Sequence, residues 1–250
     1  KEVPITELVK QITKYAVMVR KPEEIRYHLE KAYHIATTGR PGPVWLDIPI
    51  NVQMDLVDED KIIPFLSEKI IENNHDEEIE SVLNLISSSK RPVILAGNGI
   101  RLGNAKNLLL DVAEKLGIPI LTSKNGMDLI CNDHPLFVGR PGAKGQRAAN
   151  LVIQNCDLLI SLGSRISLGL TGWAYKDFAR EAKKVLVDID SAELKKPTLK
   201  LDLAINAELS VFLDKFKERI KSYESTDYSE WKNKINFWKN KYPNLPSEIN

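Results

Sequence analysis

Residues Pro92-Val93-Ile94-Leu95-Ala96 form an unbroken apolar run that closes on Gly97-Asn98-Gly99. A short run with no polar alternation fits a strand covered on both faces, as in a parallel sheet. The pattern repeats downstream. Ala105, Leu108, Leu109, Val112, Ala113 and Leu116 make a helical stripe that stops at Gly117, and Pro119 to Thr122 reads as the next strand. Asp157 to Ser161, Lys184 to Asp188 and the stretch near Leu199 to Ile205 read as further strands, followed by a helix over 207–221. A helix with Ile79, Val82, Leu83 and Ile86 on one face leads into the first strand. Strands alternating with helices specify an α/β fold, a doubly wound parallel sheet of Rossmann-like form, over residues 76–222.

The chain ahead of this domain has a different character. Pro22-Glu23-Glu24 opens a helix with proline and acidic residues in its first turn, as the helix macrodipole favours. Ile25, Leu29, Ala32 and Ala36 share one face, Gly39 stops the helix, and Arg40-Pro41-Gly42-Pro43 prevents its continuation. Val44 to Ile48 follows as a short strand. One helix and one strand cannot cover two faces of a sheet, so residues 1–52 read as the helix–strand tail of a second α/β domain. Residues 53–75 read as a linker, with an apolar patch at Ile62, Ile63, Phe65 and Leu66 set against a domain surface. An amphipathic helix around Tyr228 to Lys241, within 223–250, reads as the start of another linker. This layout, with Lys1 in the place of a Met, is that of a piece of a longer protein.

Composition removes several function classes. A formal net charge of +1 gives no electrostatic case for nucleic acid or an anionic membrane surface as partner. No stretch approaches the roughly 18 consecutive apolar residues of a membrane span, and no signal peptide opens the chain, so a cytoplasmic protein is expected. Cys131 and Cys156 lack metal-ligand spacing, and His28, His34, His75 and His134 are scattered, so neither a disulfide framework nor a metal site is expected. No Ser-His-Asp or Cys-His arrangement can be assembled from spacing.

Open parallel sheets take ligands at the carboxyl ends of their strands, where the strand order reverses. Three such ends carry glycine or hydroxyl residues: Gly97-Asn98-Gly99; Thr122-Ser123 with Asn125-Gly126-Met127; and Gly163-Ser164-Arg165. Glycine turns let backbone amides approach a pyrophosphate, and a guanidinium can fork onto phosphate. The spacing is not the dinucleotide fingerprint, and Thr122-Ser123-Lys124 offers no acidic residue for a ribose, which argues against a plain NAD dehydrogenase. Tight βα turns without a ligand account for the glycines equally well. Asp188 and Asp190 sit at another strand end, where at least one reads as a cap of the short helix 192–195. The loop Gly139 to Gly145 could cover a phosphate, but turn geometry and solvated charges explain it better. Trp173 and Tyr175 are expected in core or interface packing rather than over a cofactor ring.

Ile12-Thr13-Lys14, Pro22-Glu23-Glu24-Ile25 and above all Gly39-Arg40-Pro41-Gly42-Pro43-Val44-Trp45-Leu46-Asp47-Ile48-Pro49 resemble the end of the pyrimidine-binding domain of thiamine diphosphate enzymes. The subgroup is that of acetolactate synthase large subunits. Pro92 to Gly99, Gly163-Ser164-Arg165, Val187-Asp188-Ile189-Asp190 and Leu203 to Ala207 resemble that family's middle domain, so the resemblance covers nearly the whole chain. It implies a three-domain homodimer or homotetramer that uses thiamine diphosphate and Mg2+ to decarboxylate a 2-oxo acid and add the product to a carbonyl acceptor. The family's activating glutamate and its Gly-Asp-Gly metal motif are expected before Lys1 and after Asn250, which makes this chain inactive alone, with no catalytic residue of its own. The resemblance further implies that the middle domain binds FAD, binds ADP or is purely structural. The positions matching a nucleotide site are Gly97, Asn98, Gly99, Thr122, Ser123, Gly126, Met127, Gly163, Arg165 and Asp190. The apolar stretch Ile166 to Leu170 and Asn98 in the first turn depart from the FAD-binding synthases, and a structural domain fits those departures better.

Overall fold

The computed structural model describes residues 3–67 and 74–243, so the expected segments 53–75 and 223–250 run partly outside the described residues. The chain divides into two compact units, residues 1–72 and 73–250.

The first unit contains α1 (Ile5–Val9), β1 (Tyr15–Met18), a 3-10 turn at Pro22–Glu24, α2 (Ile25–Thr37), β2 (Val44–Asp47) and α3 (Ile50–Met54). β1 and β2 pair in parallel, from Tyr15 opposite Val44 to Met18 opposite Asp47. This corrects the expectation of a lone helix and strand: Tyr-Ala-Val-Met is too short for a period to stand out. α3 runs across the boundary expected between the tail and the linker and is not read from sequence. Phe65 lies edge-on to Tyr27 and against His34, and its N–H donates to Glu30 at 2.8 Å. That much of the apolar patch packs on α2, while Ile63 and Leu66 are exposed.

Lys14 gives the Gly-Arg-Pro-Gly-Pro turn a physical reason. Its ammonium donates to the carbonyls of Ile35, Thr38 (2.7 Å) and Arg40 (3.0 Å), which closes the carboxyl end of α2 with a positive charge. The aliphatic stem runs over Gly42, where a Cβ would lie 3.0 Å from Lys14 Cδ. Lys14 N–H also donates to Pro43 O, which leads β1 into register with β2.

The second unit runs α4 (Asp76–Ser88), β3 (Pro92–Ala96), α5 (Gly99–Leu102), α6 (Lys106–Leu116), β4 (Ile120–Thr122), β5 (Phe137–Gly139), α7 (Arg147–Asn155), β6 (Leu158–Leu162), α8 (Leu168–Thr171), β7 (Lys183–Asp188), α9 (Ser191–Leu194), β8 (Leu203–Asn206), α10 (Leu209–Arg219) and α11 (Ser229–Lys241). Six strands form one parallel sheet in the order β5-β4-β3-β6-β7-β8. The chain builds outward from β3 through β4 to β5, then returns to add β6 on the other side of β3. The order therefore reverses between β3 and β6. Every residue of β3 and β6 is buried, and neighbours along a strand point to opposite faces, so both faces are covered.

Three local readings change. The first glycine turn enters a separate four-residue helix at Gly99, and the helix of the Ala105 to Leu116 stripe follows from Lys106. β5 is a three-residue strand too short to read from sequence. α11 belongs to the core: Trp231 and Ile235 are buried. Trp231 Nε1 donates to Pro92 O at 3.2 Å, Tyr228 Oη to Ile86 O at 3.2 Å, and Lys239 Nζ to Phe137 O at 2.7 Å. Among the described residues no helix is long and apolar enough to cross a membrane.

Candidate functional site

The carboxyl ends of β3 and β6 meet at the switch point, and glycines let them meet. Gly97 N–H donates to Leu162 O at 2.9 Å and Gly99 N–H to Gly163 O at 3.0 Å. A Cβ on Gly97 would lie 2.5 Å from both Gly163 C and Ser164 Cα, and one on Gly99 would lie 2.7 Å from Gly163 Cα. Gly163 adopts a left-handed backbone at φ +59°, and its own N–H donates to Val187 O at 2.9 Å. Main chain packs directly on main chain here, at a separation no side chain tolerates.

The loop after β4 is fastened to the same place. Ser123 N–H donates to Ala96 O at 2.9 Å, Gly126 N–H to Ser123 O at 3.0 Å, and a Cβ on Gly126 would come 3.0 Å from Ala96 O. Arg101, on α5, donates to Asn98 Oδ1 and to Asn125 O (3.0 Å) and pairs with Asp128. Sequence reasoning missed this arginine, since nothing local links positions 27 residues apart. Met127 stands at the surface between its two anchors, 48% exposed. Thr122 is fully buried, and its Oγ1 has no hydrogen-bond partner among the described residues.

Arg165 and Asp190 lie at the ends of β6 and β7, where each already has a partner. Arg165 Nε donates to Glu193 Oε1 at 2.6 Å, and Lys196 pairs with the same carboxylate while donating to Arg165 O at 3.0 Å. The Glu193 side chain is 4% exposed. Burial pushes its carboxyl up, yet hydrogen bonds from Lys196 and Arg165 outweigh that and hold it below the usual carboxylate range. Asp190 caps α9 by accepting from Ala192 N–H at 3.0 Å, as read from sequence, and Asp190 N–H donates to Asp188 Oδ1 at 3.0 Å. Glu193 is the acidic residue that sequence reading overlooked, three positions after the cap. Arg165, Ile166, Leu186, Glu193, Lys196 and Leu199 line a small cleft. Ile166 within it is buried at φ +43°, a costly backbone for a β-branched residue.

The loop 139–146 is a clamped turn. Gln146 Oε1 accepts from Arg140 N–H at 2.8 Å, and Asn150 both accepts from Gly142 N–H (2.7 Å) and donates to Gly142 O (3.1 Å). Ala143 N–H donates to Gly169 O at 3.0 Å, which ties the loop to the one after β6. Trp173 follows Gly172, whose backbone is left-handed at φ +72°, and stands 86% exposed, so it is not part of this chain's own core. Among the described residues no group of three or more His, Cys, Asp or Glu side chains could hold a metal ion.

Residues 79–216, more than half of the chain, match the family described as thiamine pyrophosphate enzyme, central domain. A probable acetolactate synthase large subunit of Methanocaldococcus jannaschii is 36% identical over 94% of this chain and 40% of its own length. The acetolactate synthase large subunit of Corynebacterium glutamicum is 34% identical over 97% of this chain and 39% of its own. The chloroplastic acetolactate synthase of Arabidopsis thaliana is 32% identical over 97% and 37%. This chain thus spans about 40% of the length of the curated relatives it matches. A six-stranded parallel sheet whose β3 and β6 are covered on both faces, and a family match that runs through it from α4 to α10, lead to one assignment: the chain belongs to the thiamine pyrophosphate enzymes and carries their central domain.

Proposed function

We propose that this chain contributes the end of the pyrimidine-binding domain and the central domain of a thiamine diphosphate-dependent 2-oxo acid decarboxylase or carboligase of the acetolactate synthase type. One observation carries the reading: similarity to acetolactate synthase large subunits runs through both compact units, over 94–97% of the chain, and is not confined to the central domain. The Gly-Arg-Pro-Gly-Pro turn, built around Lys14, supports it from the first unit.

When bound, thiamine diphosphate supplies the carbon nucleophile that takes over an acyl group as carbon dioxide leaves a 2-oxo acid. Among the described residues no group of three or more His, Cys, Asp or Glu side chains could hold Mg2+, and no step is assigned to a side chain of this chain. Its own part is architectural: the sheet of the second unit is a rigid body on which catalytic domains of a homodimer or homotetramer are arranged. Expression of the whole reading frame that encodes this chain tests the proposal. Carbon dioxide release from pyruvate or another 2-oxo acid, dependent on thiamine diphosphate and Mg2+, is the expected result. A folded protein that decarboxylates no member of a 2-oxo acid panel with both cofactors present, and with FAD added as well, would overturn it.

A further inference from the structure

A nucleotide on the central domain would be held by the amides and side chains at the carboxyl ends of β3, β4, β6 and β7. Pyrophosphate binding at a βα turn needs main-chain amides that are not already bonded, aimed into open space at a helix N-terminus. Here Gly97 N–H and Gly99 N–H both end on carbonyls of the β6 strand and turn. The space in front of Gly97 is filled by the backbone of Gly163 and Ser164. The helix that follows has four residues. Gly126 N–H is bonded to Ser123 O, and Ser123 N–H to Ala96 O. The guanidinium of Arg165 is turned onto Glu193, whose side chain is 4% exposed, and Asp190 caps α9. Thr122 Oγ1 is buried with no partner among the described residues, and at 0% exposure no ligand reaches it.

Resting on the reading proposed above, we infer that this central domain takes neither FAD nor ADP. The amides of Gly97, Gly99, Ser123 and Gly126, the side-chain oxygen of Asn98, Nε of Arg165 and the carboxylate of Asp190 bond within the chain, and the crossing of Gly97 with Gly163 closes the crevice at the switch point. The domain is a structural spacer whose strand ends are sealed by their own backbone. Departures from the FAD-binding pattern at Asn98 and at Ile166 to Leu170 agree with this, since Asn98 serves Arg101 and Ile166 is buried in the β6–β7 cleft.

The test uses the whole enzyme. The protein is purified without added nucleotide, denatured, and its supernatant assayed for flavin absorbance and for ADP. The native protein is then titrated with each ligand by calorimetry up to about 1 mM, the range of a very weak complex. The expected result is no nucleotide released and no saturable heat, in a preparation that releases carbon dioxide on addition of thiamine diphosphate and Mg2+ alone. Stoichiometric flavin or ADP, saturable binding of either, or activity that appears only on adding FAD would overturn the inference. A preparation inactive on every 2-oxo acid yet free of nucleotide would count against the proposed function alone.

Discussion

β2 and β3 are both short, apolar and paired in parallel, yet they live in different surroundings. All five residues of β3 are buried, whereas β2 leaves Trp45 40% exposed and β1 has no buried residue. Of the described hydrophobic residues in the first unit only Val19, Ala32 and Val52 are buried, while Leu29, Tyr33, Ile50, Met54 and Leu56 face solvent. The difference lies in the number of strands more than in the sequence of either one. A parallel pair consists of two edge strands, and it is chiefly the short α1 and the single longer helix α2 that pack against it; six strands with helices on both sides leave β3 and β6 without an exposed surface. Motif and stability thus separate in this chain. The Gly39 to Pro49 run, which carries the resemblance in the first unit, lies where packing is thinnest, and the bulk of the core lies in the second unit.

The strongest way to break that contrast is Gly97→Ala. The added methyl collides with Gly163 and Ser164 main chain, and neither strand end can retreat inside a covered sheet. The loss should reach about 4 kcal/mol or abolish folding. A urea midpoint within error of the natural protein would mean the crossing is looser than described.

Paired tryptophan truncations come next. Trp231→Ala removes a ring that is 3% exposed and hydrogen-bonded to Pro92 O, and should cost about 3–5 kcal/mol. Trp45→Ala removes one that already stands 40% in water, and should cost about 1 kcal/mol or less. Thermal melts of the two variants check the pair. Equal shifts in Tm would erase the distinction between the units, and a silent Trp231→Ala would remove α11 from the core.

Lys14→Met sharpens the picture of the first unit. It keeps the stem over Gly42 but withdraws the ammonium from the carbonyls of Ile35, Thr38 and Arg40. A cost of about 1–2 kcal/mol is expected, as for hydrogen bonds from a charged donor. Amide hydrogen exchange should rise across 35–43 and stay unchanged in β3 and β6. Faster exchange throughout both units would show that Lys14 does not act locally.

How much of this was legible in the sequence follows from the range of each signal. The run Pro92 to Ala96, the stripe from Ala105 to Leu116 and the capping by Asp190 are local patterns, and each appears in the structure. β1 and β5 escaped because three or four residues carry no period, and both are defined by the strand they pair with. The glycines were visible, but their reason was not. Gly97 and Gly163 are 66 positions apart, and only folding shows that each is small to admit the other. Arg165 reads from sequence as an open guanidinium because Glu193, its partner, belongs to a different strand end.

The smallest expected effect concerns that pair and fades as the pH falls. Glu193 has its carboxyl held below the usual range in the folded chain, so the folded state keeps it ionised where the unfolded state begins to take up a proton. The stability it adds is complete above the unfolded value of about 4.3 and is lost as pH falls through the lower, folded value. Arg165 stands more than half in solvent, which limits the contribution to about 1 kcal/mol. Urea midpoints of the natural protein and of Glu193→Gln should therefore converge as pH is lowered from 5 toward 3, since only the natural protein loses this interaction on protonation. Two curves that stay parallel over that interval would mean Glu193 is not held ionised by Arg165 and Lys196. Arg165 would then be available to a ligand at the end of β6, and the seal at that side of the sheet would be open.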